Sequence, residues 1–182
     1  PHAGGGRAAR LYAPLARTLA RIFHDKPAET PHFTLTDSEA TALACIDALT
    51  PHSRVVVIGG DGTLNRLLPA LLRGDHSLGL VPAGSGNDTG RALGLRGLAC
   101  DEALRLALTG SAAPIDVGEA VFDLLHGQQT VPFLSSLTAG FDSAVGLRAI
   151  HGPRWLRGLP RYLLATFGEL AAVIGGPGGV VV

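Results

Sequence analysis

The sequence predicts an α/β protein, an open and mostly parallel sheet covered by helices on both faces, followed by a β-rich unit. Three observations carry this. Helix-like and strand-like segments alternate through the first two thirds of the 182 residues. The segments "RVVVIGG" (54–60) and "SLGLVP" (77–82) are apolar on both faces, as strands buried between helices are. Near Pro114 the alternation stops, and "PIDVGEAVFDLL" and "QQTVPFLSSLTAGFD" both read as strands.

Each element has a local reason. "RAARLYAPLARTLARIF" (7–23) sets Leu11, Leu15, Leu19 and Ile22 at helical spacing with arginines opposite, and Pro14 starts or kinks that helix. "HFTLT" (32–36) alternates as a short strand, and Thr36 with Glu39 offers a capping box for a helix through "EATALACIDALT". After the first buried strand, "TLNRLLPALLRG" reads as a helix kinked at Pro69 and ended by Gly74. Two more helices are expected around 86–93 and 101–109, the second closing at Gly110. In the β-rich unit the strands meet across a turn at His126-Gly127. One helix follows, with Pro160 in its first turn and Gly175 as its stop.

Composition narrows the function classes. The 15 basic and 15 acidic residues cancel, which leaves no basic footprint for nucleic acid. No stretch reaches the roughly 18 apolar residues that span a bilayer. Cys45 and Cys100 read as reduced, packed thiols, so a cytoplasmic protein is expected. The seven histidines show no metal-ligand spacing, which argues against structural zinc. Met is absent and the chain ends in Gly-Gly-Val-Val-Val, which reads as a strand beginning, so a piece of a longer protein is expected.

The chemistry is concentrated in glycine loops. Gly59-Gly60-Asp61-Gly62-Thr63 stands where the first buried strand opens into a helix, and Gly84-Ser85-Gly86-Asn87-Asp88 repeats the arrangement after the second. A third loop, "PHAGGGRA" (1–8), leads into the first helix with Arg7 inside it. Bare backbone and helix N-termini favour phosphate, and three such loops at one sheet edge point to a nucleotide or polyphosphate. Asp61 then holds a cation such as Mg²⁺, takes a proton from an attacking hydroxyl, or merely caps the following helix. Walker A and clean GxGxxG patterns are absent, which excludes a P-loop enzyme and a dinucleotide dehydrogenase.

GGDGTLN (59–65) followed by PAGSGND (82–88) resembles the diacylglycerol kinase catalytic domain of bacterial lipid kinases, sphingosine kinases and ceramide kinases. PHAGGGRA, PIDVGEA (114–120) and LTAGFDSAV (137–145) are similar to further segments of that family, in order. The resemblance implies an ATP-dependent, Mg²⁺-assisted kinase acting on a diacylglycerol-like or sphingoid-like hydroxyl. A three-layer, Rossmann-like nucleotide domain over 1–112 and a lipid-substrate β-sandwich begun by 113–182, incomplete at its C-terminus, are implied with it. By resemblance, Gly59, Gly60, Gly62, Thr63 and Asn65 cradle phosphates, and Gly84, Ser85, Gly86, Asn87 and Asp88 complete the nucleotide pocket. Gly4, Gly6 and Arg7 match the N-terminal phosphate loop, and Asp61 matches the acidic residue of base or Mg²⁺–water work.

Arg66 departs from the family, which usually has Glu there; it alters the substrate's surroundings or faces solvent. Asp116 and Asp142 read equally as cleft residues and as turn or strand-end residues. The mixture of Trp155, Leu156, Leu159, Arg154, Arg157 and Arg161 suits a membrane interface, while 162–174 reads as a helix packed on the sandwich. A lipid presented at the inner face of the membrane is the expected partner; the motifs encode neither the lipid nor the oligomeric state. Two rival readings are a soluble-substrate kinase of the NAD kinase type and a non-catalytic nucleotide-binding module.

Overall fold

The computed structural model describes residues 6–124, 127–138, 140–153, 156 and 159–175. They form α1 (Arg7–Ile22), a short 3₁₀ turn (Pro27–Glu29), α2 (Glu39–Asp47), β1 (Arg54–Gly59), α3 (Asp61–Arg73) and β2 (Ser77–Pro82). Then come α4 (Asp88–Ala92), α5 (Cys100–Thr109), β3 (Gly118–Leu124), β4 (Gly127–Phe133), α6 (Phe141–His151) and α7 (Leu159–Gly175). The chain divides into two units, Pro1–Ser135 and Ser136–Val182.

In the first unit β1 and β2 pair in parallel, from Arg54 opposite Ser77 to Gly59 opposite Pro82. Alternation along the strands then sorts their side chains by face. Val56, Ile58 and Val81 pack with Leu15 and Leu19 of α1 and with Ala103 and Leu104 of α5. Val55, Val57, Leu78 and Leu80 pack with Ile46 of α2 and with Leu64, Leu67, Leu68 and Leu71 of α3. Both faces of the parallel pair are therefore covered by helices, as its apolar composition requires.

Three local expectations are corrected. "HFTLT" joins no sheet ladder; the Phe33 ring stacks on Tyr12, centroids 4.7 Å apart, so side chains of α1 hold the segment. The cap of α2 is Ser38, not Thr36: Ser38 is extended and its Oγ accepts the Thr41 N–H at 3.1 Å. Replacing Ser38 by Ala is expected to cost about 1 kcal/mol of stability, read from the shift in thermal unfolding. Cys45 is exposed and not packed; neither it nor Cys100 is disulfide-bonded. Pro14 lies inside α1, which runs through it.

The expected hairpin is present, β3 and β4 pairing antiparallel with Leu124 opposite Gly127. Its turn at His126 lies outside the described residues, as do residues 1–5 and the closing 176–182. Asn65 of α3 ties the hairpin's end to the parallel unit, its Oδ1 accepting the Leu134 N–H at 3.2 Å.

The second unit differs from its expected strand-then-helix form. β4 ends at Phe133, and residues 141–151 coil into α6. Gly140, with φ of 67°, turns the chain into that helix. α6 and α7 pack through buried Val145 and Ala165. Arg161 caps the end of α6 by donating to the carbonyls of Ile150 (2.7 Å) and Gly152 (2.8 Å), and Arg148 pairs with Glu169. Leu163, Leu164, Phe167 and Leu170 of α7 stay exposed. Arg154, Trp155 and Arg157 lie outside the described residues. No described helix is long and apolar enough to cross a membrane.

Candidate functional site

Parallel pairing in register brings the chain out of β1 and β2 at the same sheet edge, so the two glycine loops start side by side. Ala83 N–H donates to the Gly59 carbonyl at 2.8 Å. Beyond that bond the backbones nearly touch. A methyl built on Gly60 would lie 2.7 Å from Gly84 Cα, and one on Gly84 would lie 2.6 Å from Gly60 Cα. Mutual approach, not an unusual dihedral, is what demands glycine at these two positions.

Gly60 is the N-cap of α3 and offers no side-chain cap, so the first-turn N–H groups of that helix are free of one. Gly62 stands in this turn with open space around it: an added methyl would meet nothing within 4 Å. The Thr63 side chain folds back over Gly59. An uncapped helix N-terminus with a bare, exposed backbone is suited to an anion.

Asp61 begins α3 but caps a different helix. Its Oδ1 accepts the Thr89 N–H at 2.9 Å and its Oδ2 accepts the Asp88 N–H at 3.1 Å, both from the first turn of α4. Partial burial pushes the Asp61 carboxyl up, but the Thr89 and Asp88 N–H groups pull it down further, leaving it below its ordinary value. Asp61 is thus a firmly ionised anion spanning the two loops. The simple cap of its own helix, one of the readings of the sequence, is corrected: the donors belong to the next glycine loop.

Asn87 shapes that second loop. Its backbone is left-handed, φ 59° and ψ 46°, an unusual conformation for a residue with a side chain. The side-chain amide is spent on one residue: Oδ1 accepts the Gly84 N–H at 2.8 Å and Nδ2 donates to the Gly84 carbonyl at 3.0 Å. Ser85 and Gly86 at the loop tip are exposed. Asp88 is exposed and pairs with Arg91 at 3.0 Å. A methyl on Gly86 would lie 3.5 Å from both Asp61 Oδ2 and Asp88 Oδ2, so the two carboxylates flank the loop tip.

The structure therefore brings together Gly59 to Thr63 and Gly84 to Asp88. Asn65 turns its carbonyl oxygen to Leu134. Gly6 is the left-handed N-cap of α1 and Arg7 is exposed; among the described residues no hydrogen bond joins either to the paired loops. Gly4 lies outside the described residues. Asp116 is exposed ahead of β3. Asp142 sits in the first turn of α6, not after a strand, and accepts the Tyr162 hydroxyl at 2.6 Å. That bond, with the Asp142 charge, raises the Tyr162 phenol above its ordinary value.

Arg66 faces solvent and Glu39, 3.3 Å away. An exposed pair of this kind contributes little, so Arg66→Ala is expected to change stability by less than about 0.5 kcal/mol in chemical unfolding. Sequence reasoning missed Thr89, whose N–H is a main partner of Asp61 and which is buried, 3% exposed. Its place, two residues past the Asn that opens the helix, was the available signal. Among the described residues no group of three or more His, Cys, Asp or Glu side chains is arranged to hold a metal.

The family profile of the diacylglycerol kinase catalytic domain matches residues 1–120. A diacylglycerol kinase of Mycobacterium tuberculosis is 37% identical over 117 residues, 64% of this chain and 37% of that protein. A Bacillus subtilis diacylglycerol kinase is 33% identical over 107 residues, 58% of this chain and 35% of its own. A Pseudomonas fluorescens protein named "Probable lipid kinase YegS-like" is 38% identical over 135 residues, 70% of this chain and 42% of that one. The chain spans well under half the length of these curated relatives.

Proposed function

The chain belongs to the diacylglycerol kinase catalytic domain family, and from that premise we propose that the protein is an ATP-dependent lipid kinase. Its reaction is attack of a lipid hydroxyl oxygen on the γ-phosphorus of ATP. The bond from that phosphorus to the β,γ-bridging oxygen breaks, ADP leaves, and the hydroxyl proton passes to water. The observation that carries the reading is the pair of glycine loops in backbone contact, joined by an ionised carboxylate beside an uncapped helix N-terminus.

Each part has a task in this chemistry. The N–H groups at the start of α3, bared by Gly60 and Gly62, bind phosphate oxygens, and the exposed Ser85-Gly86 tip closes over them. Phosphoryl transfer is mostly positioning and charge stabilisation, and a rigid backbone cradle supplies both. The carboxylate oxygens of Asp61 and Asp88 flanking Gly86 are hard donors suited to Mg²⁺, directly or through water. Mg²⁺, when bound, would neutralise phosphate charge and polarise the γ-phosphorus. A carboxyl held low by N–H donors stays anionic at neutral pH but is a weak proton acceptor, so we assign Asp61 to charge and orientation more than to base work.

The acceptor is a diacylglycerol-like or sphingoid-like alcohol at the cytoplasmic membrane surface. The 113–182 segment begins the lipid-substrate domain, and the exposed Leu163, Leu164 and Phe167 are side chains of the kind that meet lipid. Transfer of labelled γ-phosphate by the full-length protein to lipids in mixed micelles tests the reading, with NAD as a parallel acceptor. Label entering a lipid supports it. Label entering NAD without detergent, or tight Mg·ATP binding with no acceptor labelled, overturns it.

A further inference from the structure

We propose that Asn87 is a positioning residue: a latch that locks the second glycine loop onto Gly84 and thereby aims the first N–H groups of α4 at Asp61, without touching the nucleotide. The inference rests on the kinase reading only in assigning Asp61 to the reaction. Three observations carry it. Both polar atoms of the Asn87 side chain are committed to Gly84, at 2.8 and 3.0 Å. Asn87 is also the N-cap of α4, and its carbonyl accepts the Arg91 N–H at 2.9 Å. The two residues that follow it are the ones whose N–H groups hold Asp61, so one residue sets the loop's closure, the helix's start and the donors' direction.

The latch also explains the left-handed backbone. Asn tolerates that region better than other side-chain-bearing residues because its amide bonds locally. Here the conformation folds the amide back onto the peptide of Gly84, the residue in contact with Gly60. A change at Asn87 therefore reaches Asp61 along two routes, through Gly84 and Gly60 and through the α4 donors. Gly60 contributes no charge to this environment, and Arg66 is turned to Glu39. On α4 the charged neighbours are Asp88 and its partner Arg91.

Asn87→Gly removes the latch while keeping the left-handed backbone free of strain, and Asn87→Asp keeps the acceptor for the Gly84 N–H while losing the donor. The measurements, on the full-length protein, are amide hydrogen exchange at Asp88 and Thr89 and the kinetics with ATP and a lipid acceptor. In Asn87→Gly those two N–H groups are expected to exchange faster, because they are no longer aimed at the Asp61 carboxylate. kcat is expected to fall on the order of 10-fold or more, as for a misplaced reacting group, with the KM for ATP changed less than about 3-fold. Asn87→Asp recovers part of the kcat loss. Unchanged exchange at Asp88 and Thr89 in Asn87→Gly overturns the latch, as does a roughly 10-fold rise in KM for ATP with kcat intact, the mark of a nucleotide ligand. If exchange quickens but the wild type transfers no phosphate to any lipid, the latch stands and the kinase reading alone falls. Thermal unfolding of each variant confirms that a folded protein is being measured.

Discussion

Asp61→Asn is expected to lower phosphoryl transfer by about 10²- to 10³-fold, the range for removing one preorganised electrostatic group from a reaction site. The substitution keeps the shape and one acceptor oxygen but removes the charge. It also places an NH₂ group against one of the two N–H donors, so either the Asp88 bond or the Thr89 bond is lost. Nucleotide binding should suffer less than turnover, since backbone N–H groups of the glycine loops supply most phosphate contacts in the proposed site. Labelled-phosphate transfer and nucleotide titration on the two proteins separate these effects.

The same substitution has a stability signature whose sign follows from the lowered carboxyl. A group depressed in the folded state stabilises it above the unfolded value, and the contribution disappears as pH falls through the folded value. Wild type should thus exceed Asp61→Asn by a constant margin at neutral pH. The margin should begin to shrink near the ordinary carboxyl value of 3.8 and close below it. A margin unchanged down to pH 2 would show that the α4 donors do not hold an ionised Asp61.

How far these features could be read in advance depended on whether they are local. β1, β2 and α3 were legible because an apolar run ending in Gly-Gly, followed by a 3.6-residue repeat of leucines, has few other solutions. "HFTLT" alternates, yet alternation says only that a segment has two faces; whether a neighbouring strand exists to pair with it is a tertiary fact. "QQTVPFLSSLTAGFD" reads as a strand to its end, but the start imposed by Gly140 and the burial of Val145 settle residues 141–151 as α6. The exposure of Cys45 was equally hidden, since helix faces are assigned by what packs on them.

At the site, the residues were legible and their partners were not. Two glycine loops after two parallel strands announce an anion site. That Gly60 meets Gly84, and that Asp61 reaches across to α4, depends on the strand register, which no local motif encodes. The cap reading of Asp61 set its donors in its own helix because sequence shows only near neighbours.

The second large effect is expected at Gly84, with Gly62 as its control. Gly84→Ala puts a methyl 2.6 Å from Gly60 Cα and 2.8 Å from Asn87 Oδ1. The first obstacle is backbone, which no rotamer change relieves, so the loops must part and the Asn87 latch must break with them. Overpacking of this kind costs about 3 kcal/mol, or roughly 6–12 °C in a protein of this size. Gly62→Ala is the opposite case. Nothing lies within 4 Å of the added methyl, and alanine is the better helix former, so the variant should unfold at or slightly above the wild-type temperature. Its methyl occupies the bare first turn of α3 that the proposed site offers to phosphate, so nucleotide affinity should drop at least about 10-fold, the equivalent of roughly 1.4 kcal/mol. Calorimetric unfolding with nucleotide titration on both variants separates the roles. Wild-type stability in Gly84→Ala would refute the backbone contact, and wild-type nucleotide affinity in Gly62→Ala would move the phosphate away from α3. Both results as expected would mean that one glycine is there for its neighbour in the fold and the other for the ligand.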